Sequence, residues 1–354
     1  MTDRQPAIAR VILCGFGNVG SAVLELLRST GTRLHGDRSL HIRVVGVAEL
    51  GGAAFYEDGL DLTRLVEARA AGEPVWSIPD VGREGMTAVE LLRALEADCV
   101  VDATPMQLDT GMPGLAIARE AIALGRDLVL ANKAPLALAF DELTAGAQWI
   151  PHGGLTSRRR LRFSATVAGS LPAIALGHAL TACRIERIEA VLNGTSHLLL
   201  RLMERGIGYE DALGMAQAKG MAEADPSLDV DGWDSAGKLV ILSNAVLGHS
   251  CTLSDVEVEG IRGLSATAVA EAQAAGQSYV LLAIASRDGD GWLLTVKPVA
   301  LMEPHPLALL GQEDMGIVYV TDHVPRLTAT TTEPDAVPAA VAVLRDIADI
   351  YTPA

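Results

Sequence analysis

A chain of 354 residues with 49% hydrophobic content carries enough apolar material for more than one core, which excludes a disordered or low-complexity protein. Its formal net charge of -16 repels phosphate backbones and anionic bilayers, so neither nucleic acid nor a membrane is an expected partner. Four cysteines without a CxxC pair (Cys14, Cys99, Cys183 and Cys251) and no secretory leader pattern point to free thiols in a reduced compartment, and the expected location is cytoplasmic.

From residue 10 to about 150, short β-branched runs ("RVILCG", "HIRVVGVAEL", "DCVVDATP", "DLVLANK") alternate with helical periodicity ("NVGSAVLELLRST", "MTAVELLRALEA", "MPGLAIAREAIALG"). This alternation predicts an α/β fold, a Rossmann-type doubly wound parallel sheet with helices on both faces. In the first helix Val19, Val23, Leu26 and Leu27 form the predicted buried stripe. "GFGNVG", residues Gly15, Phe16, Gly17, Asn18, Val19 and Gly20, follows the first strand directly and opens that helix. A dinucleotide needs this context: one Gly for the turn, one for approach of the pyrophosphate, one for helix–strand packing, with free N–H groups at the helix start.

Glu49 ends the second strand, where a carboxylate can bond a ribose 2′-hydroxyl, and no Arg or Lys follows in "LGGAAFYED"; the reading is NAD or NADP, leaning to NAD. Thr104 and Pro105, then Asn132 and Lys133, end the next two strands, at the edge where ligands bind in such sheets. Lys133 is the sharpest of these, because a lysine there can act on a reacting oxygen. The basic run "SRRRLR" at 157–162 reads as a solvated loop entering a strand.

Beyond "HGG" at 152–154 the pattern becomes α+β. Strands are expected at "LRFSATVAGS" and "RIERIEAVLNG", helices over 195–206, 209–219, 229–248 and 266–276, and an antiparallel sheet from "SYVLLAIAS", "WLLTVKPVALM" and "GIVYVTD". The tail "PAAVAVLRDIADIY" has helical spacing and can return to the first domain. The expected division is a dinucleotide-binding domain, 1–150 completed by helix 335–354, and an α+β substrate-binding and dimerisation domain, 151–334.

"GMAEADPSLDVDGWDSAGKLVIL", residues 220–242, crowds Glu223, Asp225, Asp229, Asp231 and Asp234 ahead of Lys238. A calcium loop fails, because the twelfth position of that register is Lys238 where a bidentate glutamate is needed. On a helix Asp234 and Lys238 stand at i and i+4, either a surface ion pair or part of a pocket for a small substrate bearing an ammonium group. Asp225 and Asp231 read as a turn residue and a helix-start acid.

"ANKAPLA", "SATVAGSLP", "NGTSHLLL" and the "EADP…D…D…K" block, behind an N-terminal Gly fingerprint, together resemble homoserine dehydrogenase over about residues 10 to 250. The resemblance implies reversible NAD(P)-dependent oxidation of L-homoserine to L-aspartate 4-semialdehyde, in threonine, methionine and isoleucine biosynthesis. It implies Lys238 as general acid/base beside Lys133, Asp234 as the orienting partner, and Glu223 and Asp229 on the substrate amino group. It further implies Asn193, Gly194, Thr195 and Thr104 near nicotinamide and substrate. A monovalent cation, Na+ or K+, is implied on the main-chain oxygens of Ser164, Val167, Gly169 and Leu171, and a homodimer with an interface sheet from 161–170 and 290–334.

Three departures accompany the resemblance. Ser164 stands where the family usually has glutamate, Glu333 and Asp335 stand in "TATTTEPDAVPAA" where it has a Gly-rich loop, and no regulatory extension is expected after 354. A neutral lysine is needed for oxidation, so alkaline pH is expected to favour that direction. The rival readings are a related amino-acid dehydrogenase, such as an aspartate dehydrogenase, and a cofactor-binding paralogue without catalysis.

Overall fold

The computed structural model describes residues 7–30, 40–145, 148–150, 154–156, 160–218 and 220–352. The expected turn at His152–Gly153 and the arginines of the basic run at 158 and 159 lie outside them. The chain forms two compact units, Met1–Ser170 with Ala336–Ala354, and Leu171–Asp335.

The first unit contains strands β1 (Ala7–Cys14), β2 (Leu40–Glu49), β3 (Gly52–Phe55), β4 (Gly82–Glu84), β5 (Cys99–Asp102), β6 (Asp127–Leu130), β7 (Gln148–Ile150), β8 (Gly154–Thr156) and β9 (Arg160–Arg162). Its helices are α1 (Asn18–Thr30), α2 (Leu62–Ala70), α3 (Ala88–Ala94), α4 (Gly114–Ala123) and α5 (Ala134–Thr144). The sheet order is β4-β3-β2-β1-β5-β6-β9-β8-β7. Strand β1 runs parallel to β2 on one side and to β5 on the other. The order therefore reverses at β1, and the crevice at its carboxyl end is the switch point where such sheets bind ligands.

The buried face of α1 is Gly20, Val23, Leu24 and Leu27, so Val23 and Leu27 of the expected stripe are buried while Val19 and Leu26 are only partly covered. These side chains pack with Val11 and Leu13 of β1 and with Ala340, Val343, Leu344 and Ile347 of the C-terminal helix.

Two expectations for 161–170 are corrected. Arg160–Arg162 joins the first sheet, parallel to β6, and no part of it enters the second. Asp127 at the start of β6 holds it there, accepting from the Arg160 backbone N–H (2.7 Å) and guanidinium (2.6 Å). The strand then stops, because 164–166 turn into a 3-10 helix and Ala168 and Gly169 both adopt left-handed backbones.

The second unit holds α6 (Ala173–Ala179), β10 (Ile185–Val191), α7 (Gly194–Met203), α8 (Tyr209–Ala218), α9 (Ser227–Val230), α10 (Trp233–Leu242), β11 (Val256–Val258), α11 (Ala266–Ala274), β12 (Gln277–Asp288), β13 (Gly291–Met302), β14 (Asp314–Thr321) and β15 (Leu327–Thr332). Helix α12 (Val337–Tyr351) belongs to the first unit. The second sheet has the order β11-β13-β12-β10-β14-β15, antiparallel except for β11 against β13. Val191, Val280, Leu282 and Val318 share one of its cores.

The single helix expected over 229–248 is three pieces. Gly232, at φ 89°, breaks α9 from α10, and α10 runs into a π-helical turn at Ser243–Leu247. The "TATTT" stretch is edge strand β15, paired with β14.

Candidate active site

At the switch point each fingerprint glycine has its own steric reason. A Cβ on Gly15, whose φ is 100°, would fall 2.3 Å from the Ala103 carbonyl oxygen, and one on Gly20 would fall 2.0 Å from that of Gly15. A Cβ on Gly17 would meet nothing within 4 Å. Open space at the helix N-terminus, with no acid in the first turn of α1, suits a phosphate group that approaches the backbone. Phe16 is buried, while Asn18 is exposed and Val19 half-buried at the helix start.

Glu49 is half-buried and its Oε1 accepts the Val75 backbone N–H at 2.5 Å, so the carboxylate is fixed at the end of β2. Pro105 is exposed at the sheet edge, and Lys133, half-buried, precedes α5 as its first-turn cap.

Thr104 and Asn132 are brought together by a residue that the sequence reading missed. Asp102 is completely buried at the end of β5; its Oδ1 accepts from the Thr104 N–H (3.0 Å) and hydroxyl (2.6 Å). Asn132 Nδ2 donates to the same hydroxyl at 3.0 Å, and its Oδ1 accepts from Ala134 N at 3.0 Å. The network is close-packed under Gly114, where a Cβ would lie 2.4 Å from Asn132 Nδ2 and 2.6 Å from Asp102 Oδ2. Burial pushes the Asp102 carboxyl up to about 6. The signal available in the sequence was an acid closing an otherwise apolar strand, "VVDATP".

In the second unit the acid-rich segment folds around a lysine. Lys238, 8% exposed, donates from Nζ to the Leu192 carbonyl and sits 2.7 Å from Asp234 Oδ2. Asn193, between β10 and α7, uses its whole amide: Oδ1 caps α7 by accepting from Ser196 N (2.8 Å), and Nδ2 donates to Asp229 Oδ1 (2.6 Å) and Asp234 Oδ2 (2.8 Å). The break at Gly232 permits this convergence, since on one continuous helix Asp229 and Asp234 would be about 140° apart. Burial, and then the charge of Asp234, hold the Asp229 carboxyl above its ordinary value.

Gly194 leaves open space at the start of α7, and Thr195 donates its hydroxyl to the Met221 carbonyl at 2.9 Å. Glu223 is exposed outside this network, and its carbonyl accepts from Gln217 Nε2 at 3.1 Å. The other acids diverge from it. Asp225 accepts from Ser227 N at 3.1 Å, and Asp231 pairs with Arg262. Among the described residues no group of three or more His, Cys, Asp or Glu could hold a metal ion.

In the expected cation segment, Ser164 O accepts Val167 N–H (3.4 Å) and Leu171 O accepts Ala173 N–H (2.7 Å). Ser164 N and Oγ donate to Asp346 of α12 at 2.8 and 2.7 Å.

The chain matches the family model described as homoserine dehydrogenase over residues 172–348. It is 32% identical to a homoserine dehydrogenase of Methanocaldococcus jannaschii, with 96% of this chain and 98% of that one covered. It is 30% identical to an NAD(+)-dependent homoserine dehydrogenase of Pseudomonas canavaninivorans, covering 97% and 96%. A hyperthermophilic archaeal homoserine dehydrogenase mutant, solved in complex with NADPH, superposes with a TM-score of 0.79 at 24% identity, covering 97% of each chain.

Proposed function

The chain belongs to the homoserine dehydrogenase family, and on that premise we propose that it interconverts L-homoserine and L-aspartate 4-semialdehyde with a nicotinamide cofactor. The observation that carries the mechanism is the pair of acceptors on Lys238. A neutral amine has two hydrogens and one lone pair. With the hydrogens directed to Leu192 O and Asp234 Oδ2, the lone pair has one direction left, and it takes the substrate hydroxyl proton there.

Asp234 positions Lys238, and Asn193 fixes Asp234 while tying it to Asp229. Asp229 and the exposed Glu223 take the substrate ammonium, and Gly194 and Thr195 keep the start of α7 open to substrate. In reduction Lys238 returns the proton to the forming alkoxide.

NAD(P), when bound, supplies the hydride acceptor or donor. The residues fit it: Gly17 leaves the space a pyrophosphate needs, α1 offers free N–H groups, and the pinned Glu49 suits a ribose 2′-hydroxyl. That fit, with no cation in 50–58, favours NAD over NADP. The Thr104 hydroxyl donates to Asp102 and accepts from Asn132, which fixes it with one acceptor position left toward the nicotinamide side.

We assign a weakly held monovalent cation to the main-chain oxygens of Ser164, Val167, Gly169 and Leu171, of which the Ser164 and Leu171 oxygens each also accept one backbone N–H. We place the enzyme in the cytoplasm, as a homodimer, in threonine, methionine and isoleucine biosynthesis. Free thiols support the first point, and among the described residues no helix is long and apolar enough to cross a membrane.

The test is the initial rate of cofactor reduction, followed by absorbance, with L-homoserine and with L-aspartate as substrates and each of NAD and NADP. Homoserine-dependent reduction with a higher kcat/KM for NAD is expected; reduction with aspartate alone would move the protein to another dehydrogenase class.

A further inference from the structure

The second unit holds a cavity of about 290 Å3 whose lining shares no residue with the cluster around Lys238. Its lining is mixed, with Leu180, Ile185, Val246 and the Trp292 indole forming an apolar wall beside His178 and Thr181. Its polar side is cationic: Arg184 and Arg287 line it, the Arg287 guanidinium standing 5.0 Å from the Trp292 ring centroid. Both arginines lean on one carboxylate, Glu186, at 2.5 and 3.7 Å, and Asp322 Oδ1 accepts the Arg184 backbone N–H at 2.9 Å, so the two guanidiniums stand against two carboxylates. Among the described residues no acid belongs to the lining itself.

The two elements that end at this cavity begin or finish at the catalytic cluster. Strand β10 starts with Ile185 at the cavity and leads to Leu192, the acceptor of Lys238 Nζ, roughly 23 Å away at about 3.3 Å per residue. Helix α10 carries Asp234 in its first turn and Lys238 in its middle, and passes into the π-helical turn that contributes Val246. A π turn can shift to α by one residue of register, which makes it an element with two arrangements that a ligand can bias.

We propose that this cavity is an effector site for a small organic anion, an apolar body bearing one carboxylate or phosphate, whose binding acts on Lys238 through the π-helical turn and β10. The oxyanion meets Arg287 and Arg184 in competition with Glu186, and the apolar body fills the space beside Trp292.

The site carries its own probe. Cys183 lines the cavity and is the one cysteine of the four that is not buried. Its alkylation rate in the full chain, read by mass spectrometry, is measured with hexanoate, hexyl phosphate, inorganic phosphate or hexylammonium present. The first two are expected to slow labelling about ten-fold at ten times their Kd, by mass action. Hexylammonium should leave the rate unchanged, and the hexanoate and hexyl phosphate arms tell which oxyanion is preferred.

Arg287→Gln, with an unchanged melting temperature and an unchanged rate in the absence of ligand, should lose the protection. Equal protection by hexylammonium, protection by none of the probes, or protection that survives Arg184→Gln/Arg287→Gln would overturn the site. Unchanged kcat and KM for the dehydrogenase reaction under full protection would overturn the effector role. Labelling needs no turnover, so its outcome is independent of the catalytic reading.

Discussion

At the scale of the residue, Asn193 has two separable duties, since its Oδ1 caps α7 and its Nδ2 ties Asp229 to Asp234. Asn193→Ser keeps a capping oxygen and loses the tie, so its melting temperature should stay close to that of the parent. Asn193→Ala should lose about 1 kcal/mol as well. Both should lower kcat about ten-fold or more, the cost of loosening a base from its working geometry. Equal activity of the serine variant and the parent would show that the amide bridge does not position Lys238.

The i, i+4 spacing made Asp234 and Lys238 legible as a pair, and the resemblance added their roles. Their burial was not legible, nor was the Leu192 carbonyl, because main-chain acceptors leave no trace in residue identity. Asp102 was overlooked for a related reason: its value lies in what it holds, Thr104, and not in a motif of its own.

At the scale of the element, the glycine fingerprint makes a prediction by contrast. Gly20→Ala places a Cβ 2.0 Å from the Gly15 carbonyl oxygen and should force α1 off β1, with a loss of several kcal/mol visible in denaturant titration. Gly17→Ala meets no protein atom within 4 Å, so it should fold with unchanged stability and weaken nicotinamide cofactor binding. Equal cofactor Kd values for Gly17→Ala and the parent, measured by calorimetry, would remove the pyrophosphate from that spot.

Strand–helix alternation was enough to read the parallel sheet, because strands buried on both faces are continuous apolar runs. Periodicity failed at 229–248, where apolar spacing continues through the break. The Asp231–Gly232 dipeptide was the turn signal there, and Gly232 at φ 89° is the position that only glycine adopts cheaply. It also failed at 161–170, since the partner that captures Arg160 is Asp127, 33 residues earlier.

At the scale of the whole molecule, α12 returns to the first unit through a contact no local pattern encodes: Ser164 N and Oγ on Asp346, 182 residues apart in the chain. Burial pushes the Asp346 carboxyl from 3.8 up to about 6. Between these values the folded chain keeps a proton that the unfolded chain releases, so this group makes stability fall as pH rises through that window.

Asp346→Asn can still accept from Ser164 N and donate to its hydroxyl, and it cannot titrate. The stability advantage of the variant should therefore grow from pH 4 to pH 6 by roughly 2 kcal/mol, most of the effect of a two-unit shift. His197, pushed down to about 4 by burial, acts with the opposite sign and cancels in the comparison. Parallel stability curves for the two proteins would place the Asp346 charge in a less costly environment.

Lys238, proposed to move the proton in homoserine oxidation, is tested by the kcat of Lys238→Ala measured beside its Kd for NAD. A loss of about 10²–10⁴-fold in kcat with Kd unchanged is expected, the range for removing a positioned acid or base. Turnover near that of the parent, in a folded variant that binds NAD normally, would contradict it.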